Sequence, residues 1–130
     1  MEELQVKIKW PYMLEKSFTT AWLKSLKAKG FYTDKISDGG IGIKKVDCYL
    51  RSDKSSYCCE IKIIAKDIFP VNRLRANQFA SLRKWDDLWW KAIVCVYSKE
   101  YNKYKLIPFS LIKDIDKNDS IKLEFKANKD

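Results

Sequence analysis

Apolar residues recur along this chain with two different periods, and the changes of period divide it into elements. Residues 4–10 (LQVKIKW) alternate apolar and polar, the period of a half-exposed edge strand, and Pro11 ends the run. Phe18, Trp22 and Leu26 then step by four, which predicts a helix over residues 13–29 with Gly30 as its C′ residue. Residues 31–36 read as a strand, followed by the Gly-rich stretch SDGGIG. Two β-type runs, 43–51 and 57–64, flank a polar turn and form a hairpin. Beyond Pro70 a second helix spans 71–85, with Leu74, Gln78 and Leu82 on one stripe. Residues 89–97 contain the continuous apolar run AIVCV, which fits a central strand covered on both faces. A hairpin partner (101–107), a short helix (108–115), an edge strand (121–125) and a charged end complete the chain. Strands and helices are interspersed with no linker, repeat or low-complexity tract, so residues 1–130 are expected to form one α/β domain.

Ionisable residues interrupt this pattern where apolar ones are expected. Alternation along the hairpin puts Asp47 on a face with Tyr49 and Arg51, and Glu60 and Lys62 on a face with Cys58 and Ile64. Burying such groups unpaired is far more costly than burying valine, so they are expected to be paired or to hold a metal. Asp47, Glu60 and the Ile61 carbonyl offer hard oxygens, suited to Mg²⁺ or Mn²⁺. Beside them Lys62 has the reach to orient a water and offset developing charge. A cross-strand salt bridge in a half-exposed hairpin explains the same residues without chemistry. Gln78 lies on an apolar stripe and should find a polar partner. Glu15, at the head of the first helix's stripe, is either a solvated first-turn acid or an inward-pointing site residue.

Charge adds a partner to this picture. The net charge of +9 points to a polyanion, and nucleic acid is the expectation. Arg73, Arg75, Arg83 and Lys84 supply the second helix with cations before its first acid, Asp86. Lys44 and Lys45 are further candidates for phosphate contact, as is Ser37 in the Gly-rich loop. That loop lacks the GK[ST] ending of a Walker motif. With no histidine in the chain, hydrolysis has to run on carboxylates, lysine and metal. The cysteines at 48, 58, 59 and 95 form no CxxC pair and read as buried free thiols. Of the tryptophans, Trp22 and either Trp89 or Trp90 are expected in the core, with Trp10 and Trp85 exposed. No apolar run approaches a membrane span, and the N-terminus lacks the layout of a signal peptide. A cytoplasmic protein, or one acting in a host's cytoplasm, is expected.

Asp47, twelve intervening residues and then Glu60-Ile61-Lys62 resemble the signature of the PD-(D/E)xK nuclease superfamily, with Val46 in place of the proline. Within it the chain is most similar to Holliday-junction resolvases of bacterial, phage and archaeal type. The segments EKSFTTAWLKSLKAKGF, KISDGG, KKVDCYL, YCCEIKI and RLRANQFASL carry the resemblance, over residues 13–97. It implies a restriction-endonuclease-like core, a mixed central β-sheet flanked by helices. It also implies a Mg²⁺-dependent endonuclease, with Mn²⁺ as a substitute, acting on branched DNA. Asp47, Glu60 and Ile61 would ligate the metal together with Glu15; Lys62 would assist the attacking water, Gln78 would complete the site, and Ser37 would contribute to catalysis. Paired nicks in a nearly two-fold junction imply a homodimer, with Trp10, Tyr12, Trp85 and residues 101–104 available for its interface. A superfamily nuclease acting on linear or flapped DNA would share every one of these residues. A non-catalytic nucleic-acid-binding module would have no use for Asp47, Glu60 and Lys62 together.

Overall fold

A single parallel pair of strands sets the architecture. In the computed structural model, which describes residues 3–5, 15–36, 46–88 and 91–126, strands β4 (Ser56–Ile64) and β6 (Lys91–Ser98) run side by side. Parallel neighbours need a long crossover. Here it consists of β5 (Ile68–Pro70), a 3₁₀ turn (Val71–Arg73) and helix α2 (Ala76–Asp87). Among the described residues the other pairings in the sheet are antiparallel. On one side β3 (Cys48–Arg51) pairs with β4, and β2 (Tyr32–Lys35) with β3. On the other side β7 (Lys103–Pro108) pairs with β6, and β1 (Glu3–Gln5) with β7. The result is a six-stranded mixed sheet of order β1-β7-β6-β4-β3-β2.

Each face of the sheet carries its own core. Helix α1 (Glu15–Ala28) lays Phe18, Trp22, Leu23 and Leu26 over Cys48, Leu50, Cys59, Ile61, Ile93 and Cys95. Phe18 stacks on Tyr97 at 4.7 Å between ring centroids and meets Tyr104 edge-on at 5.8 Å. The helix closes as its sequence predicts. Gly30 takes φ +97°, its N–H reaches the Lys27 carbonyl, and the Phe31 N–H reaches that of Leu26, both at 3.0 Å. These are the two bonds of a Schellman motif, which a side chain at the left-handed position would strain. On the opposite face Leu82 of α2 packs with Cys58, Val94, Val96, Phe69, Ile107 and Phe109. Strand β6, buried at every position after Lys91, is the doubly covered strand its continuous apolarity indicates.

Several expectations are corrected. The second helix starts at Ala76 rather than 71, because the chain after Pro70 first makes a 3₁₀ turn and a strand-like link. The short helix expected at 108–115 is a single 3₁₀ turn, Phe109–Leu111. The last strand, β8 (Ser120–Lys122), pairs with β5 in a separate two-stranded sheet instead of extending the main one. Trp85 is half-buried, edge-on to Tyr49 at 5.4 Å, and Tyr104 is buried beneath α1, so neither offers the exposed surface expected of it. Trp10, Tyr12, Trp89 and Trp90 lie outside the described residues. All four thiols are buried. Burial pushes Cys58 up to about 12, with the Asp86 carboxylate, Cys48 and Glu60 adding to the shift, and it raises Cys59 and Cys95 as well.

Because Phe18 is fully buried among three aromatic rings, Phe18→Ala should cost about 3–5 kcal/mol of folding stability. Urea denaturation followed by tryptophan fluorescence measures it. A loss under about 1 kcal/mol would mean that α1 is not docked as described.

Candidate active site

Strand β4 forms the floor of the site, and a break in the pairing of its neighbour opens it. Along an unbroken strand Val46 and Cys48 would share a face. Instead Val46 packs in the α2-side core and Cys48 in the α1-side core. The Asp47 N–H donates to the Cys59 carbonyl (3.1 Å), while Cys48 is the residue in register with Cys59. Two residues thus oppose one, the arrangement of a β-bulge, which ends pairing and re-aims a side chain. The alternation expected for Asp47 therefore does not hold. Its carboxylate turns toward β4 and accepts the Ile61 N–H at 2.7 Å, where an unbroken ladder would present a backbone carbonyl. A residue's N–H and C=O leave a strand on the same edge, so the Ile61 carbonyl also faces the Asp47 side.

Glu60 and Lys62, either side of Ile61, face helix α2. There Gln78 sits at the third helical position and makes three hydrogen bonds. Its Oε1 accepts the Arg75 backbone N–H and Lys62 Nζ, both at 3.0 Å, and its Nε2 donates to Glu60 Oε2 at 3.1 Å. The first of these caps the helix, in the manner of a glutamine reaching back to the residue before the first turn. The other two tie an acid and a base of β4 to one neutral amide. This is the polar partner that a glutamine on an apolar stripe requires. Among the described residues Lys62 makes no ion pair. Asp47 is 6% exposed and Glu60 3%, so both carboxylates are held almost out of solvent.

The remaining candidates fall into two groups. Glu15 opens α1, is exposed, and accepts the Thr19 hydroxyl at its backbone carbonyl (2.7 Å). Among the described residues no three Asp, Glu, Cys or His side chains gather into a metal-binding group, so Glu15 does not join Asp47 and Glu60 in this structure. Arg73 and Arg75 are exposed just before α2, and Arg73 donates to the Ile63 carbonyl at 3.0 Å, fastening that turn to β4. Ser37, Lys44 and Lys45 lie outside the described residues. Sequence reasoning missed the bulge at Asp47, the capping role of Gln78 and the Arg73 tether. The sequence offers a cue for the cap alone, in Gln78 three residues after Arg75 at a helix start.

The donor set is of the kind a hard divalent cation takes: the Glu60 carboxylate and the Ile61 carbonyl belong to β4, and the Asp47 carboxylate is bonded to it. A carboxylate has about four acceptor sites, so a hydrogen-bonded one can still ligate. Two side-chain acids with a carbonyl, completed by water and substrate, is the kind of sparse set Mg²⁺ accepts.

The architecture is shared with a solved structure, that of Hjc from Archaeoglobus fulgidus, a Holliday junction resolvase from an archaeal hyperthermophile. The TM-score is 0.66 at 16% sequence identity, covering 82% of this chain and 87% of that one. The chain therefore has the restriction-endonuclease-like fold that its motif residues imply. No protein-family model matches the chain, and no curated sequence does.

The Asp47–Ile61 bond makes a prediction independent of activity. Asp47→Ala leaves a buried N–H unpaired and should destabilise the fold by about 1–3 kcal/mol. Asp47→Asn keeps an acceptor oxygen and should lose clearly less. Thermal melts of both variants compare them, and equal losses would mean that the carboxylate does not replace the ladder carbonyl.

Proposed function

We propose that this chain is a metal-dependent endonuclease that hydrolyses DNA phosphodiesters, selective for four-way junctions. The observation that carries the reading is the Glu60–Gln78–Lys62 linkage beside the buried Asp47. It lies within a fold shared with a protein described as a Holliday junction resolvase. A hairpin salt bridge explains it poorly, because Lys62 is bound to an amide rather than an acid.

Asp47, Glu60 and the Ile61 carbonyl would hold Mg²⁺, or Mn²⁺ in its place, with Glu15 of α1 as the further acid that the resemblance implies. When bound, the ion supplies Lewis acidity and lowers the pKa of a water. The chain's own residues do the rest. Lys62 presents an ammonium to the attacking water and to the charge building on the phosphoryl oxygens, an interaction stronger in the transition state than in the ground state. Gln78 keeps Lys62 and Glu60 at a fixed spacing, so Lys62 needs no reorganisation as charge develops. Arg73 and Arg75, with Ser37, Lys44 and Lys45, would contact flanking phosphates. In-line attack by water leaves 5′-phosphate and 3′-hydroxyl ends. With one such site per chain, paired nicks across a junction require a two-fold homodimer.

Two experiments test this. Junction cleavage should require a divalent cation and stop in EDTA. Asp47→Asn should abolish it, and Lys62→Ala should lower kcat by on the order of 10²-fold with little change in DNA affinity. Undiminished cleavage by pure Asp47→Asn protein would sink the assignment. Light scattering should report about twice the 15.4 kDa chain mass, and junctions should be cut well ahead of linear or flapped duplex. A monomer indifferent to DNA shape would leave a nuclease but not a resolvase.

A further inference from the structure

The far end of β4 carries a second polar site that the proposed chemistry does not use. A groove of about 380 Å³ lies at the β3–β4 turn, lined by residues 51–56 together with Leu88 and Lys91. Its lining holds three cations, Arg51, Lys54 and Lys91, against one acid, Asp53. Lys91 is positioned from both sides: its Nζ donates to the Ser55 hydroxyl at 3.2 Å and lies 5.5 Å from the centre of the Tyr57 ring. The turn is closed by its own hydrogen bonds. The Ser52 N–H reaches the Ser55 carbonyl at 2.9 Å, and the Ser52 hydroxyl accepts the Lys54 and Ser55 N–H groups at 3.2 Å. Among the described residues neither the Arg51 guanidinium nor the Lys54 ammonium has an ion-pair partner, and Asp53 neutralises neither.

Three cations lining one hydroxyl-bearing groove, Arg51 and Lys54 without an ion-pair partner among the described residues, fit a phosphate backbone. We propose that this groove grips the DNA backbone at a second point, away from the scissile phosphate; the proposal rests on the nuclease reading. Its position gives the spacing. Helix α2 links the two sites, with Gln78 in one and its C-cap, Leu88, in the other, about 15 Å apart at 1.5 Å per residue. Along β4, Glu60 lies about 13 Å from Ser56, the strand residue that lines the groove, at about 3.3 Å per residue. That separation matches roughly four base pairs of duplex rise, at about 3.4 Å per pair. The ligand is therefore the phosphate backbone of a duplex arm, several pairs from the cut.

The test is DNA binding by the full chain in EDTA, which separates binding from cleavage, over a salt series. The triple variant Arg51→Ala, Lys54→Ala, Lys91→Ala should bind a long-armed junction less tightly than the wild type. Its log K against log salt should be flatter by about 0.9 for each phosphate that the variant leaves unneutralised. The charge-preserving triple variant Arg51→Lys, Lys54→Arg, Lys91→Arg should keep the wild-type slope, which excludes misfolding as the cause. With neutral methylphosphonate linkages in place of the phosphates about four base pairs from the crossover, which leaves no charge there for the groove to hold, the deficit should vanish. An alanine variant with the wild-type slope and affinity overturns the second contact and leaves the nuclease reading intact. So does a deficit that persists undiminished on the neutral-linkage arms. A wild-type chain that binds no DNA overturns both.

Discussion

The bond from the Ile61 N–H to the Asp47 carboxylate is the constraint on which the rest of the site depends. A buried strand N–H has to be satisfied, and here a side chain does what a neighbouring backbone does elsewhere. The substitution lets β3 begin at Cys48 instead of running on beside Glu60. A longer β3 would cover the edge of β4 where Asp47 and the Ile61 carbonyl now face. The acid is therefore both a structural acceptor and a candidate ligand, and its 6% exposure follows from the first role.

Rigidity on the other side comes from the parallel pairing of β4 with β6. That pairing obliges the chain to cross over, and the crossover delivers α2 to the face where Glu60 and Lys62 project. The N-terminus of α2 is pinned to β4 twice, through Gln78 and through the Arg73 tether. Its far end reaches the turn of the β3–β4 hairpin. One helix thus fixes the spacing between a group of buried acids and a group of exposed cations.

The parts that were legible in the sequence are those whose cause is local. The Phe18, Trp22 and Leu26 stripe and its Gly30 stop are read within one helix, and both stand in the structure. The continuous run of β6 announces double burial because no alternation survives in it. Asp47, Glu60, Lys62 and Gln78 stood out as polar interruptions of apolar patterns, and the structure brings all four to β4 and its neighbours. What was not legible depends on partners distant in sequence. The bulge exists only relative to Cys59, so alternation counted along the hairpin put Asp47 on the wrong footing. Strands β5 and β8 are three residues each and pair with one another across some fifty positions. Trp85 and Tyr104 looked available as surface because nothing beside them in sequence declares Tyr49 or Phe18 as their neighbours.

Glutamine rather than a charged residue at position 78 follows from electrostatics. Glu60 and Lys62 point to the same face two residues apart on β4, close enough for a direct ion pair. Such a pair would spend each charge on the other, leaving little field for a cation or a phosphate. A glutamate at 78 would still cap α2 and bind Lys62, but would set a second negative charge against a nearly buried Glu60. A lysine there would reverse the conflict. The neutral amide is the side chain of this length that donates to Glu60 and accepts from Lys62 at once, and its second lone pair serves the Arg75 N–H. It satisfies both groups without neutralising either. Gln78 itself thus uses up neither the acid nor the lysine, which stays available to an incoming anion. That separation of opposite charges by a dipole, within a buried face, is what distinguishes this arrangement from a structural salt bridge.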